Sequence, residues 1–103
     1  MLKIFTLVVL SAVAALAADA TAGKAVYDKS CKSCHGPDGT ANPSIAKMMK
    51  VDIKNLSSAE VQAEGDAGIK TVITSGKGKM KPVKSVSGAD LDNVVAYVLT
   101  LKK

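Results

Sequence analysis

The chain has 103 residues, a formal net charge of +5, 48% hydrophobic residues and only 3% aromatic residues. This length suits one small domain rather than several. The excess of lysine comes without any arginine and without interleaved aromatic side chains, which argues against nucleic-acid binding, where base stacking and arginine contacts are usual.

A targeting segment is predicted at the N-terminus. Lys3 supplies a short positive region, an almost unbroken apolar run follows, and residues 15–17 have the small-x-small pattern that precedes a signal-peptidase cut. The apolar run, Ile4 to Ala18, has about 15 residues, fewer than the roughly 20 that a membrane span needs. We therefore predict a signal peptide over residues 1–17 and one domain over residues 18–103, with a retained membrane anchor as the alternative.

Helical apolar periodicity dominates the predicted mature chain, and alternating strand patterns are scarce. The first helix is predicted from about Thr21 to Ser30. A turn-rich segment from Gly36 to Pro43 separates it from a short helix over Ser44–Met49. Residues 57–60 form a capping-box pattern, which predicts a brief helix ending near Gly65.

Two amphipathic helices complete the prediction. Asp66 is expected to cap the first, and Gly76 to end it in a left-handed conformation. The second opens with a capping-box pattern over Ser87–Asp90 and carries an apolar stripe. The stripe consists of Leu91, Val94, Val95, Val98 and Leu99. The sequence therefore predicts one all-α domain of about four to five helices.

The most informative motif is the pentapeptide from Cys31 to His35, which matches C-x-x-C-H, the attachment pattern of a c-type haem. Two thiols at this spacing can each add to one haem vinyl group, and the adjacent histidine can reach the iron. A redox dithiol would need a preceding strand, whereas a helix is predicted there. A disulfide would close too small a loop to stabilise much. A zinc site would need more cysteine or histidine ligands than the chain has.

The aromatic residues are consistent with a bound porphyrin. Phe5 lies in the targeting segment, so the predicted mature chain has no Phe, no Trp and only Tyr27 and Tyr97. Domains of this size bury a smaller fraction of their surface on folding than larger domains do. A large, flat, apolar porphyrin would fill the core that aromatic side chains do not.

A second iron ligand is expected opposite His35. No other histidine exists, which excludes two histidine ligands from one chain. Met48 and Met49 are adjacent and are interpreted as core filler. Met80 stands alone among glycines and lysines, so we predict that it binds the iron. Ligation by histidine and methionine raises the reduction potential and leaves no open position, which favours electron transfer over substrate chemistry.

The mature chain resembles a small class I cytochrome c over roughly residues 20–101. Gly23 followed by Tyr27 matches the family's glycine-then-aromatic pattern before the first cysteine. The loop from Gly76 to Pro82 resembles its methionine loop, and residues 96–99 resemble its terminal helix. The chain departs from the family at Lys81, because the family commonly has proline directly after the methionine.

The resemblance implies a small cytochrome c fold around one covalently attached haem c. Cys31 and Cys34 would form the thioethers, and His35 and Met80 would be the axial ligands. The carbonyl of Pro43 would accept a hydrogen bond from Nδ1 of His35, which orients the imidazole.

The resemblance also implies that the first and last helices cross closely, with Gly23 giving room for Tyr97. Haem attachment to c-type cytochromes in bacteria takes place outside the cytoplasm. The resemblance therefore favours a periplasmic location.

The predicted function is that of an exported, soluble, monomeric carrier of single electrons between redox proteins, without enzymatic activity and without stable membrane insertion after signal cleavage. A basic rim would attract a partner with an acidic docking surface, and ordinary solvated lysines are the alternative. The rim consists of Lys77, Lys79, Lys81 and Lys84. The alternative functions are a haem peroxidase or ligand-binding sensor with a labile Met80, and a non-haem thiol oxidoreductase using Cys31 and Cys34.

Overall fold

The computed structural model describes residues 18–102, and the predicted signal peptide lies outside these residues. Six helices and no strand occur in the described range, which confirms the all-α prediction. They are α1 (Ala20–Ser30), α2 (Lys32–His35), α3 (Pro43–Met49), α4 (Ala59–Ala63), α5 (Gly65–Ser75) and α6 (Gly88–Thr100). The extra helix is α2, because the cysteine motif itself forms a helical turn. None of the described helices is long and apolar enough to cross a bilayer.

Helices α1 and α6 cross so closely that the contact requires glycine. A Cβ atom on Gly23 would lie 1.9 Å from the carbonyl oxygen of Asn93 and 3.0 Å from Cβ of Tyr97. Beside this point the rings of Tyr27 and Tyr97 meet with centroids 5.1 Å apart at 59°, a tilted arrangement that aromatic pairs favour. The expectation that Gly23 gives room for Tyr97 is confirmed, and the backbone of Asn93 is an even closer neighbour.

The hydrophobic core is built from α1, α5, α6 and the segment before α6. Its buried members are Tyr27, Ile69, Ile73, Val86, Val94, Val95 and Val98. Apart from one tyrosine they are aliphatic. Gln62 joins the chain before α4 to α6, because its amide donates to the carbonyls of Leu56 and Val98 at 2.8 and 2.9 Å.

The predicted capping box of α4 is wrong by one residue. The N-cap is Ser58, whose hydroxyl accepts from the amide of Val61 at 3.3 Å. Ser57 instead donates from both its amide and its hydroxyl to Asn55 Oδ1. Glu60 does not reach back to the cap, since it forms an ion pair with Lys54.

The start of α5 also differs from the prediction. The helix begins at Gly65, which has a φ of +67°, so Asp66 lies inside the first turn rather than at the cap. There the Asp66 carboxylate pairs with Lys70 at 2.9 Å, and Lys70 also reaches Asp92 of α6 at 2.8 Å. Ser87 occupies the N-cap position of α6 as expected, but its side chain makes no capping hydrogen bond.

Candidate haem site

Helix α2 places the three chemically important side chains of the motif on one face. Cys31 is its N-cap residue, and Cys34 and His35 follow at i+3 and i+4, which are neighbouring positions on a helix. The amide of His35 donates to the Cys31 carbonyl at 3.0 Å and closes the turn. Both cysteines are free thiols and partly buried. The turn therefore presents two thiols and an imidazole together.

The residue after the motif is fixed by two contacts. Gly36 has a φ of +75°, and a Cβ atom there would lie 2.0 Å from the carbonyl oxygen of Thr40. The buried hydroxyl of Tyr27 donates to the Gly36 carbonyl at 2.6 Å, and burial raises the pKa of this phenol. Helix α1 thus holds the chain directly after His35. Sequence reasoning noted Tyr27 in the family's glycine-then-aromatic pattern and missed this hydrogen bond.

Burial sets the protonation of the site. It lowers the pKa of His35, which favours the neutral imidazole that can bind a metal. It is also the main reason why the pKa of Cys31 is raised to about 11, with a smaller contribution from Cys34. A thiol with a raised pKa is a poor nucleophile in disulfide exchange. Together with the helix that precedes the motif, this argues against the thiol oxidoreductase.

The expected hydrogen bond between His35 and Pro43 is not formed in this structure. Nδ1 of His35 is buried and has no hydrogen-bond partner. Pro43 is the first residue of α3, so its carbonyl points along the helix toward the amide four residues on. Pro43 nevertheless lines the same groove as Ser33, Gly36 and Asn42, and therefore lies next to the motif.

Met80 lies partly buried in the loop between α5 and α6, at the end of a tight turn. The backbones of Lys77 and Met80 exchange two hydrogen bonds, at 2.9 and 3.0 Å. Gly78 occupies the first central position with a φ of +57°, where glycine is favoured. Gly76 ends α5 as predicted and has a positive φ of +77°, but its ψ of 171° lies outside the expected left-handed conformation. A Cβ atom there would lie 2.6 Å from the Met80 carbonyl oxygen.

Contacts on both sides anchor this methionine loop, residues 76–83. The amide of Val83 donates to the carbonyl of Ile73 in α5 at 2.8 Å. Nζ of Lys79 donates at 2.7 Å to the carbonyl of Met49, the last residue of α3, where the helix dipole favours a cation. Pro82 packs against Gly76: its Cδ would lie 2.9 Å from a Cβ atom placed there. The proline therefore supports the loop even though Lys81 separates it from Met80.

The three methionines of the domain differ in environment. Met48 is 71% exposed, so its interpretation as core filler is wrong. Met49 is partly buried and lies at the C-terminal end of α3. Only Met80 lies in a loop held by hydrogen bonds at both sides. The structure thus gathers Cys31, Cys34 and His35 on α2 and places Met80 on a separate loop tied to α3.

These features fit a covalently attached haem. The site offers free thiols and a neutral imidazole whose Nδ1 is buried without a partner. Partly buried apolar side chains, Cys31 of the motif among them, pack against the core. They are Val26, Cys31, Leu56, Val83, Leu91, Tyr97 and Leu99. Over residues 18–102, no three Cys, His, Asp or Glu side chains cluster in a way that could hold a separate metal ion.

Comparison with known proteins agrees with this chemistry. Residues 18–98 match the family described as cytochrome c oxidase, cbb3-type, subunit III. Cytochrome c6 of Synechocystis sp. is 39% identical over 90 residues, which cover 82% of this chain and 68% of that protein. Cytochrome c-554(547) of Halothiobacillus neapolitanus is 36% identical over 97 residues, which cover 84% of this chain and 100% of that protein.

A solved structure gives the same result. The KustC0563 c-type cytochrome superposes with a TM-score of 0.65 at 28% identity, over 79% of this chain and 98% of that chain. The chain belongs to the family of small monohaem c-type cytochromes, which are electron carriers. It accordingly carries one covalently bound haem c, and the predicted cytochrome c fold is confirmed.

Proposed function

We propose that the protein is an exported carrier that passes single electrons between larger redox proteins, with its haem iron ligated by His35 and Met80. Thioethers from Cys31 and Cys34 would hold the haem. The observation that carries the proposal is the turn α2, which presents both thiols and the imidazole on one face next to the core. Bound haem c supplies an iron that alternates between the ferric and ferrous states.

The chain's own residues would tune that iron and exclude other chemistry. The thioether of Met80 favours the reduced state and raises the potential, and the anchored methionine loop limits its exchange for other ligands. The Pro43 carbonyl retains a second lone pair. In the haem-bound protein we propose that it accepts from Nδ1 of His35, which raises the basicity of the ligand. No substrate reaction is required, so we propose that the protein is not an enzyme.

Two observations support export to the periplasm. The family match begins at residue 18, the first residue after the predicted signal-peptidase cut. The segment before it has the charged, apolar and small-residue regions of a signal peptide. We propose that residues 1–17 are removed and that the mature domain acts as a monomer.

A visible spectrum of the protein made with haem-attachment machinery tests the proposal. Sharp reduced bands and a weak far-red ferric band are expected for ligation by histidine and methionine. A high-spin ferric spectrum would instead indicate an open iron site, as in a peroxidase or a ligand-binding sensor. A protein without haem would leave the thiol oxidoreductase as the remaining function.

The exposed lysines near Met80 in the chain are proposed to attract an acidic redox partner. Lys81 and Lys84 are exposed, Lys77 is 3.5 Å from Glu64, and Lys79 is held by the end of α3. A basic surface accelerates encounter with anions, and salt screens the effect.

Replacing Lys81 and Lys84 by glutamine is expected to slow oxidation by ferricyanide, an anionic probe, several-fold at low salt. The effect should vanish at high salt. The matched control replaces Lys24 and Lys102 by glutamine, which removes the same charge elsewhere, and should change the stopped-flow rate much less. Equal slowing in both variants would show that only net charge matters.

The fold is expected to depend on its haem. The buried core of the described chain contains one aromatic residue, Tyr27, and otherwise small or medium aliphatic side chains. Replacing Cys31 and Cys34 by alanine, and thereby preventing haem attachment, should leave a largely unfolded chain by circular dichroism. Cooperative thermal unfolding of that variant would contradict a core completed by the haem.

A further inference from the structure

We infer that Asn42 is a positioning residue that sets the orientation of His35. The inference rests on the proposed role of His35 as an iron ligand. Helix α2 is a single turn, Lys32–His35. Its last carbonyl groups therefore find no hydrogen-bond donor within the helix. Asn42 supplies the missing donors, since its backbone amide donates to the Cys34 carbonyl at 3.0 Å and its side-chain Nδ2 donates to the Ser33 carbonyl at 3.2 Å.

The same side chain also starts the next helix. Oδ1 of Asn42 accepts from the amides of Ser44 and Ile45 at 3.0 and 3.4 Å, as the N-cap of α3. The two ends of the amide are therefore distinguished by their partners, because oxygen faces donors and nitrogen faces an acceptor. One residue closes the end of α2 and opens α3.

The consequence for His35 lies in its backbone. The amide of His35 donates to Cys31, and the Cys34 carbonyl of the same peptide accepts from the Asn42 amide, while Nδ2 of Asn42 holds the Ser33 carbonyl one residue earlier. In the peptide after His35, the Gly36 amide donates to the Lys32 carbonyl at 2.8 Å, and Tyr27 holds the Gly36 carbonyl one peptide further on. With the peptides on both sides held, the direction in which the imidazole leaves the backbone is restricted. Groups outside the immediate ligand set commonly orient metal-binding histidines. Asn42 would act in this way through the main chain rather than by touching the imidazole.

Asparagine suits both tasks better than the other capping residues. Aspartate and serine also cap helices well, and either would retain the backbone hydrogen bond to the Cys34 carbonyl. Neither can donate from its side chain to Ser33 as the Nδ2 group does, since ionised aspartate only accepts and serine is shorter. Substitution by serine therefore removes the side-chain part of the positioning role, the bond from Nδ2 to the Ser33 carbonyl, while it keeps the cap and adds no charge.

The test uses the ferric holoprotein and its proton NMR spectrum. The four haem methyl shifts report the direction of the axial imidazole plane, which a purely structural role would not move. Asn42→Ser is expected to change the spread of these shifts while lowering the melting temperature only slightly. The matched control is Asn55→Ser, because Asn55 Oδ1 accepts from Ser57 rather than from any residue of the motif. This control should leave the methyl shifts as in the unmodified protein.

Unchanged methyl shifts in Asn42→Ser, whatever its melting temperature, would reduce Asn42 to a helix cap and overturn the inference. If that variant fails to attach haem, Asn42→Asp serves in its place, since it has the same shape and keeps the cap; unchanged shifts there would be equally decisive. The spectrum of the unmodified protein is recorded first. If it lacks the signature of histidine and methionine ligation, the proposed function fails, whereas a normal spectrum with unmoved shifts defeats only this inference.

Discussion

Replacing Met80 by alanine is expected to abolish the far-red ferric band and to lower the reduction potential of the haem. The thioether stabilises ferrous iron, and water or another hard ligand in its place does not. The decrease in reduction potential should be a sizeable part of the roughly 0.8 V range that axial ligands span in haem proteins. Ferric absorption spectra and a potentiometric titration measure both effects.

Met48→Ala is the matched control for this experiment. Its side chain is 71% exposed on α3, so its removal should leave the band and the potential unchanged. If Met80→Ala retains both, then Met48 or Met49 supplies the ligand, and the anchored methionine loop has another role.

Gly23→Ala is expected to destabilise the holoprotein by about 3 kcal/mol, near the upper end of overpacking penalties. The added methyl group would lie 1.9 Å from the backbone carbonyl oxygen of Asn93. Backbone cannot move aside as a flexible side chain can, so α1 and α6 would have to separate. That movement would also disturb the contact between Tyr27 and Tyr97. Guanidinium unfolding followed by circular dichroism gives the change in stability.

Gly68→Ala provides the comparison, since Gly68 lies inside α5 and a Cβ atom there would meet only the side chain of Glu64, at 3.0 Å from its Cβ. Better helix propensity, worth up to about 1 kcal/mol, offsets that close contact. Its stability should stay within about 1 kcal/mol of the unmodified protein. A similarly small effect of Gly23→Ala would mean that the helices do not cross as closely as described.

Local patterns in the sequence were sufficient for the all-α fold and for most of the haem chemistry. Apolar residues at helical spacing located α1, α5 and α6, and the turn residues before α3 located that helix, all to within a residue or two. The spacing of Cys31, Cys34 and His35 predicts that their side chains lie together, because positions i, i+3 and i+4 share a face whenever the segment is helical. Gly76 was recognised as a residue with positive φ because it follows an apolar stripe and opens a glycine-rich loop.

Helix caps were predicted less accurately, for a local reason. Ser57 and Ser58 are chemically identical candidates, and the choice between them depends on which serine Asn55 engages. The expected cap at Asp66 is wrong, and Ser87 takes its expected N-cap position without the expected side-chain bond. Asp66 pairs with Lys70 instead, and the Ser87 side chain makes no capping bond. A capping pattern shows which hydrogen bonds a side chain can make with the backbone. Which of them forms depends on the other hydrogen-bonding groups that lie nearby in the folded chain.

Residue types and spacing alone were enough to indicate the kind of chemistry: covalent haem attachment, histidine and methionine candidates for the iron, and a helical fold. How these parts are held became visible in the folded chain. Asn42 bridges α2 and α3, Tyr27 secures Gly36, and Lys79 ties the methionine loop to a residue 30 positions earlier. Such bonds depend on which elements become neighbours after folding. The spacing of residues predicts which side chains of one helix share a face. It does not predict which separate helices come into contact.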